Sequence, residues 1–243
     1  MTLPNNYPGQ LQNIQKSPKF NKREPVPFPG YTVMTASMED DSINAPFYKY
    51  LCGCQQQLID QLPEGLINPV APNSFHLTIA DLLWENIYLN ALANNPDFET
   101  QLIDRIEESF EQYINSTLEA GIIQLQMLGL SIFPRAITVC LVPNNDRGYQ
   151  QILDIRRSIY QNKGIIDLGI EQQYNFNGHI TLGYFGEITA DLDLAKLAQT
   201  LTQLNDCWLE NDPPILTVER VELRHFENMM TYKRNPDWPV IRF

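Results

Sequence analysis

Two of the three histidines in the chain carry the same short phrase. His76 stands in Phe75-His76-Leu77-Thr78-Ile79, and His179 stands in Gly178-His179-Ile180-Thr181-Leu182, about 100 residues further on. An imidazole titrates near pH 6.5, so of two convergent rings one can be neutral and take a proton while the other is charged and gives one. A threonine two positions later adds a hydroxyl that can donate to oxygens on which negative charge builds. Such a set suits in-line hydrolysis of a phosphodiester. A 2',3'-cyclic phosphate is a natural substrate, because ring strain lowers its barrier and opening yields a 2'- or 3'-monoester. Which ring would be the acid and which the base is not decided by the sequence.

The repetition is what gives the phrase weight. From the composition, a given His is followed by apolar-Thr-apolar about 1% of the time, and here two of three do so. Either copy alone would read equally well as a strand histidine beside a strand-favouring threonine. The third, His225 in Leu223-Arg224-His225-Phe226, lacks the phrase and is expected at a surface or strand end. Tyr184, Arg135 and Arg224 are candidate phosphate or base contacts. No metal site and no cofactor are expected, since there is neither an HxH nor an HExxH spacing.

The elements that must position these residues follow from periodicity. Side chains alternate along a strand, so His76 and Thr78 share one face while Phe75, Leu77 and Ile79 line the other, and the second copy divides likewise. Strands are expected over Tyr31 to Met38, Phe75 to Leu82, Ile122 to Leu130, Arg135 to Val142, Gly178 to Phe185, Ile215 to Phe226 and near Met230 to Lys233. Helical spacing of Phe47, Leu51, Cys54, Leu58 and Leu62 predicts a helix from about Ala45 to Leu62. Further helices are expected from Pro96 to about Leu118, from Asp146 to Gln161 and from Asp191 to Cys207. Helices and strands alternate without a glycine-rich phosphate loop, and two similar lobes are expected. Residues 1 to 30 end in Pro25-Val26-Pro27-Phe28-Pro29-Gly30, a stretch that cannot sustain a helix or a central strand, and they read as an extended proline-rich arm, packed or mobile, ahead of a single bilobal domain over 31 to 243.

Composition narrows the partners. Of 243 residues 43% are apolar and 19% charged, which is the make-up of a globular chain. The 29 acidic and 17 basic side chains leave a net charge of -12, which opposes long duplex nucleic acid and leaves a small nucleotide or a short oligonucleotide as the expected substrate. The four cysteines, at 52, 54, 140 and 207, include no CxxC pair, as expected of a reduced cytoplasmic protein. No apolar run is long enough for a membrane span or a signal peptide, and a monomer is expected.

The paired phrases resemble the signature of the two-histidine (2H) phosphoesterase superfamily, two copies of His-x-Thr-x near 100 residues apart. Members include RNA 2',3'-cyclic phosphodiesterases, tRNA-splicing-related ligases, and 2',5'-oligoadenylate and snRNA-end phosphodiesterases. The resemblance covers about residues 30 to 243. It implies an α+β fold of two pseudo-twofold-related lobes, each with an antiparallel sheet and helices, one motif on a central strand of each lobe, and a cleft between. It implies catalytic roles for His76, Thr78, His179 and Thr181. Gly129-Leu130-Ser131-Ile132-Phe133 followed by Ala136-Ile137-Thr138-Val139 looks like the superfamily's glycine-x-x-x-phenylalanine strand pair, and Tyr232 sits where a final-strand aromatic is usual. The Pro27-Phe28-Pro29-Gly30 lead-in resembles a little-characterised microbial branch. One position departs from the pattern: five residues after the second motif histidine, where many RNA-directed members carry a phosphate-binding Arg, this chain has Tyr184. The expected activity is therefore metal-independent phosphodiester hydrolysis in RNA processing, with a catalytically silent phosphate-binding module of the same fold as the alternative.

Overall fold

A computed structural model of the chain describes residues 6–117 and 121–243. The N-terminal segment forms a short helix α1 (Tyr7–Leu11) and a hairpin of β1 (Phe20–Asn21) and β2 (Glu24–Pro25). Then come β3 (Gly30–Thr35), α2 (Ala45–Gln61), β4 (Ile67–Pro69), β5 (Thr78–Trp84), α3 (Glu85–Asn94) and α4 (Phe98–Ser116). The second half supplies β6 (Ile123–Phe133), β7 (Ala136–Pro143), α5 (Asp146–Tyr160), α6 (Lys163–Asp167), β8 (His179–Phe185), α7 (Leu194–Glu210), β9 (Leu216–Val218), β10 (Arg220–Asn228), β11 (Thr231–Lys233) and β12 (Val240–Arg242).

Two five-stranded antiparallel sheets organise these elements. The first runs β11-β10-β3-β5, with β12 also paired to β10, and the second runs β4-β8-β7-β6-β9. The lobes are not the two halves of the chain. Strands β10 to β12, from the C-terminal end, complete the first sheet, and β4, from the N-terminal half, joins the second beside β8. Helix α2 likewise packs against β4, β8 and α7, whereas α3 and α4 cover the first sheet and α5 touches strands of both. The resulting α+β bilobal architecture agrees with the expected fold class. The two similar lobes that were expected each carry a five-stranded sheet, but they exchange strands between the two halves of the chain.

Most boundaries follow from burial. Helix α2 hides Phe47, Leu51, Cys54 and Leu58 along one stripe and stops where Leu62 turns extended before Pro63. Helix α4 does the same with Phe98, Leu102, Ile106, Phe110 and Tyr113. Its expected end at Leu118 lies outside the described residues. Helix α7 begins three residues later than Asp191, because the Asp193 side chain accepts the Lys196 amide at 2.9 Å and caps the first turn. The strand expected over Ile215 to Phe226 is two strands in different sheets, β9 and β10, separated at Glu219. Helix α3 was not anticipated: Tyr88 is its only buried residue among those described, so its apolar stripe is too thin to read.

Residues 6–29 cross from one lobe to the other. Tyr7 and Leu11 are buried, and the Tyr7 hydroxyl donates to the Leu130 carbonyl at 2.8 Å. The Ser17 amide donates to the Phe185 carbonyl of the second sheet at 2.8 Å, and the Phe28 amide to the Glu227 carbonyl of the first at 2.8 Å. Phe20 and Phe28 enter a small apolar cluster with Phe226 and Met229 beside the cleft. Among the described residues no helix is long and apolar enough to cross a membrane.

Candidate active site

Strands β5 and β8 each carry one copy of the repeated phrase, and both lose regular alternation just after it. In β5 the pairing with β3 passes over Ile79 and Leu82, and in β8 the pairing with β7 passes over Leu182. A passed-over residue flips the face of everything beyond it. Thr78 and Asp81 therefore both face the cleft, as do Thr181 and Tyr184, where strict alternation would have turned Asp81 and Tyr184 away. At two of the three passed-over residues, Ile79 and Leu182, the carbonyl accepts from a helix side chain. The buried Arg156 of α5 donates through Nη1 to the Ile79 carbonyl at 2.6 Å, and Gln55 of α2 donates through Nε2 to the Leu182 carbonyl at 2.7 Å. Behind the cleft face, Phe75, Leu77, Ile79, Ile180 and Leu182 are all buried.

The two imidazoles are held alike. His76 Nδ1 lies 2.7 Å from the carbonyl of Ser74, and His179 Nδ1 lies 2.8 Å from the carbonyl of Asn177, in each case two residues upstream. A carbonyl only accepts, so Nδ1 carries the hydrogen in both rings and Nε2 is the nitrogen left for a ligand. His76 precedes the first residue of β5 rather than sitting within the strand, because a 3-10 turn over Pro72–Ser74 occupies the lead-in. Each ring also rests on an aromatic neighbour. His76 lies 4.3 Å, centroid to centroid, from Tyr232, and His179 meets Phe133 edge-on at 4.7 Å. Phe133 closes the Gly129-x-x-x-Phe133 segment singled out in the sequence. Gly129 has φ +131, and an added Cβ there would come 2.3 Å from Asn205 Oδ1, which instead accepts the Leu130 amide at 2.9 Å.

The electrostatics of the two rings differ. Burial lowers the His76 pKa to about 4, against a hydrogen bond to Ser74 that favours the charged form, and His179, Arg224 and Lys19 push it further down. Burial also lowers His179, with Lys19 adding to the effect, but the Ser74-like bond to Asn177 and the Asp81 carboxylate both work in the opposite direction. Burial and nearby Tyr184 and Asp81 raise the Tyr232 hydroxyl far above its ordinary range.

The cleft between the sheets has a volume of about 630 Å³. Of the sequence candidates, His76, Thr78, His179, Thr181, Tyr184, Arg135 and Tyr232 all line it. Arg224 does not. It is 2% exposed and bound to Glu222 and Asp40, with Nη2 2.6 Å from Asp40 Oδ2, and it also donates to the Tyr232 carbonyl. Its charge reaches His76 from behind, but its guanidinium is committed. His225 stands outside the cleft, edge-on to Tyr31 at 5.0 Å. Asp81, Lys19 and Tyr174 line the cleft without having been anticipated. Asp81 could have been found by applying the five-residue offset of Tyr184 to the first motif. Lys19 lies in the proline-rich segment, where nothing in the pattern pointed to the cleft. Among the described residues no three His, Cys, Asp or Glu side chains gather as they would around a metal ion.

No protein-family model matches the chain, and no curated protein does. Solved structures do. A conserved protein of unknown function, ATU0111 from Agrobacterium tumefaciens, is 16% identical over 94% of this chain and 96% of its own, with a TM-score of 0.64. Usb1 of Kluyveromyces marxianus is 9% identical over 89% of this chain and 98% of its own, with a TM-score of 0.48. LigT of E. coli, complexed with 3'-AMP, is 14% identical over 85% of this chain and 93% of its own, with a TM-score of 0.44. The Agrobacterium likeness is one of fold, and the two weaker ones are similarities of outline. With one repeated His-x-Thr phrase at each of two antiparallel sheets facing a shared cleft, the chain shares its fold with the Agrobacterium protein.

Proposed function

We propose that the chain is a phosphodiesterase that opens a 2',3'-cyclic phosphate, or hydrolyses a related nucleotide or short RNA diester, by acid and base catalysis from His76 and His179 without a metal. The observation that carries this reading is the matched anchoring of both imidazoles through Nδ1 to a backbone carbonyl, with Nε2 of each ring left for substrate.

The depressed His76 is neutral near pH 7 and suits the base, taking a proton from water through Nε2. The water oxygen bonds to phosphorus as the ester bond to the 2' or 3' oxygen breaks. His179, whose charged form Asp81 favours, gives its Nε2 proton to that departing oxygen. Turnover leaves His76 protonated and His179 neutral, and exchange with solvent restores both. Thr78 and Thr181 donate hydroxyl hydrogens to the non-bridging oxygens as their charge grows. Trp84, Tyr174 and Phe226 on the cleft wall offer faces on which a nucleobase can stack. The net charge of -12 restricts the substrate to small or short anions.

The test incubates the wild type and the His76→Ala, His179→Ala double variant with a panel of 2',3'-cyclic mononucleotides in EDTA, following monoester release by phosphorus NMR. Release by the wild type alone is expected. Tight binding of these nucleotides without product would instead favour a silent phosphate-binding module, for which Tyr184 at the usual arginine position is the motive. Equal release by both proteins would end the two-histidine reading.

A further inference from the structure

The N-terminal segment brings a cation into the cleft. Of its four basic residues, Lys16 pairs with Glu187 and Arg23 with Glu64, and both pairs lie in the open. Lys19 is half-buried on the cleft wall and has no carboxylate partner among the described residues. Its Nζ lies 4.8 Å from the ring centroid of Phe28 and 4.9 Å from that of Tyr184, and 3.5 Å from the Tyr184 hydroxyl. The backbone is fixed on both sides: the Ser17 amide is bonded to Phe185, and the Lys19 carbonyl accepts the Val26 amide at 3.1 Å.

Three features make this an anion site rather than a stray surface charge. An ammonium partly withdrawn from water without a counter-ion is costly, and two aromatic faces offset only part of that cost. Its charge disfavours protonation of both His76 and His179, so it stands within electrostatic reach of both rings. It also leans on Tyr184, the side chain at the position where an arginine is usual. Arg135, the other basic residue of the wall, is exposed, lies 3.4 Å from Gln15 Oε1, and shifts neither ring.

We infer that Lys19 binds the non-bridging oxygens of the substrate phosphate, carried into the cleft by the N-terminal segment and aimed by Phe28 and Tyr184. Tyr184 then serves as the platform for a cation from elsewhere in the chain instead of supplying one. The inference rests on the phosphodiesterase reading, and the experiment separates the two.

Lys19→Met, Lys19→Arg and His179→Ala are compared with the wild type in the full chain, by kinetics on 2',3'-cyclic nucleotides and by titration with inorganic phosphate. Lys19→Met is expected to lose about 10- to 100-fold in kcat/KM, as for a charge-assisted hydrogen bond, and to bind phosphate about tenfold more weakly with an unchanged melting temperature. Lys19→Arg should restore most of both. If Lys19→Met matches the wild type in both assays while His179→Ala is inactive, the Lys19 assignment is overturned and the phosphodiesterase reading stands. If His179→Ala retains full activity, that reading falls, and the phosphate titration alone then decides for or against Lys19.

Discussion

Asp81 and Tyr184 are counterparts in the two lobes: each lies five residues beyond a motif histidine, and each is returned to the cleft by a passed-over residue in its strand. A site whose histidines and threonines are nearly symmetric thus acquires a carboxylate on one side and a phenol on the other. The carboxylate acts on His179, and His76 has none to oppose its burial. The division of labour proposed for the two rings rests on this difference.

Replacing either ring by alanine should lower kcat by about 10²- to 10⁴-fold, the range for a positioned acid or base. Because both side chains border the cleft rather than the core, thermal melting should move little. Steady-state kinetics beside a melting scan check both halves of the prediction.

The pH dependence of kcat/KM should be a bell displaced to the acid side of neutrality. Its acid limb reports loss of the neutral base near pH 4, and its alkaline limb reports loss of the charged acid below 6.5. In Asp81→Asn the carboxylate that favours charged His179 is gone, so the alkaline limb should move to lower pH while the acid limb stays. An unmoved or rising alkaline limb would contradict the assignment of His179 as the acid.

Stability should carry the signature of His76 as well. Its folded pKa of about 4 lies below the unfolded value of about 6.5, so the unfolded chain binds the proton more readily in between. The stabilisation from keeping this ring neutral is complete above pH 6.5 and drains away as the pH falls toward 4. It amounts to at most about 3 kcal/mol, reduced by whatever water in the cleft screens the ring. Urea unfolding of wild type and His76→Asn between pH 4 and 7 should show the wild type losing more on the acid side.

Arg156→Met tests the support of the first motif strand. It strips the Ile79 and Tyr174 carbonyls of their buried donors, bonded at 2.6 and 2.7 Å. A loss of about 1–3 kcal/mol in stability is expected, together with a fall in kcat, since Thr78 and Asp81 flank the freed carbonyl. A variant that is destabilised but fully active would show that the irregularity holds its shape without the guanidinium.

Arg224→Met should destabilise the fold. It strips Glu222 Oε1, in a side chain 1% exposed, of its Arg224 donors while Arg220 and Arg234 still face Oε2, and an unsatisfied buried acceptor costs about 1–3 kcal/mol. Arg135→Ala, on the exposed wall, should stay within about 0.5 kcal/mol of wild type. Equilibrium denaturation of the two variants measures the contrast.

Much of this was legible in the residue order, for physical reasons. The stripes of α2 and α4 bury one face each, so their spacing shows in the sequence, and the repeated phrase marks both motif strands. Arg224 read as a ligand contact because its carboxylate partners, buried Glu222 two residues away and exposed Asp40 far upstream, meet it only in three dimensions. Asp81 was hidden by the irregular pairing of β5, since alternation alone assigns it to the opposite face. Lys19 was hidden by distance along the chain, a segment with no periodicity being able to fold back to any surface. The exchange of β4 and β10 between lobes left no local trace either.

That exchange bears on how the molecule comes into being during synthesis. Strand β3 lies between β5 and β10, and β10 is made almost last. While the nascent chain lengthens, the first sheet waits with one side of β3 open, and the His76 strand stands in a half-built lobe. Non-local pairing of this kind slows folding and leaves a bare strand edge exposed to other chains. A fragment ending before Arg220 would be expected to aggregate rather than to form half an active site.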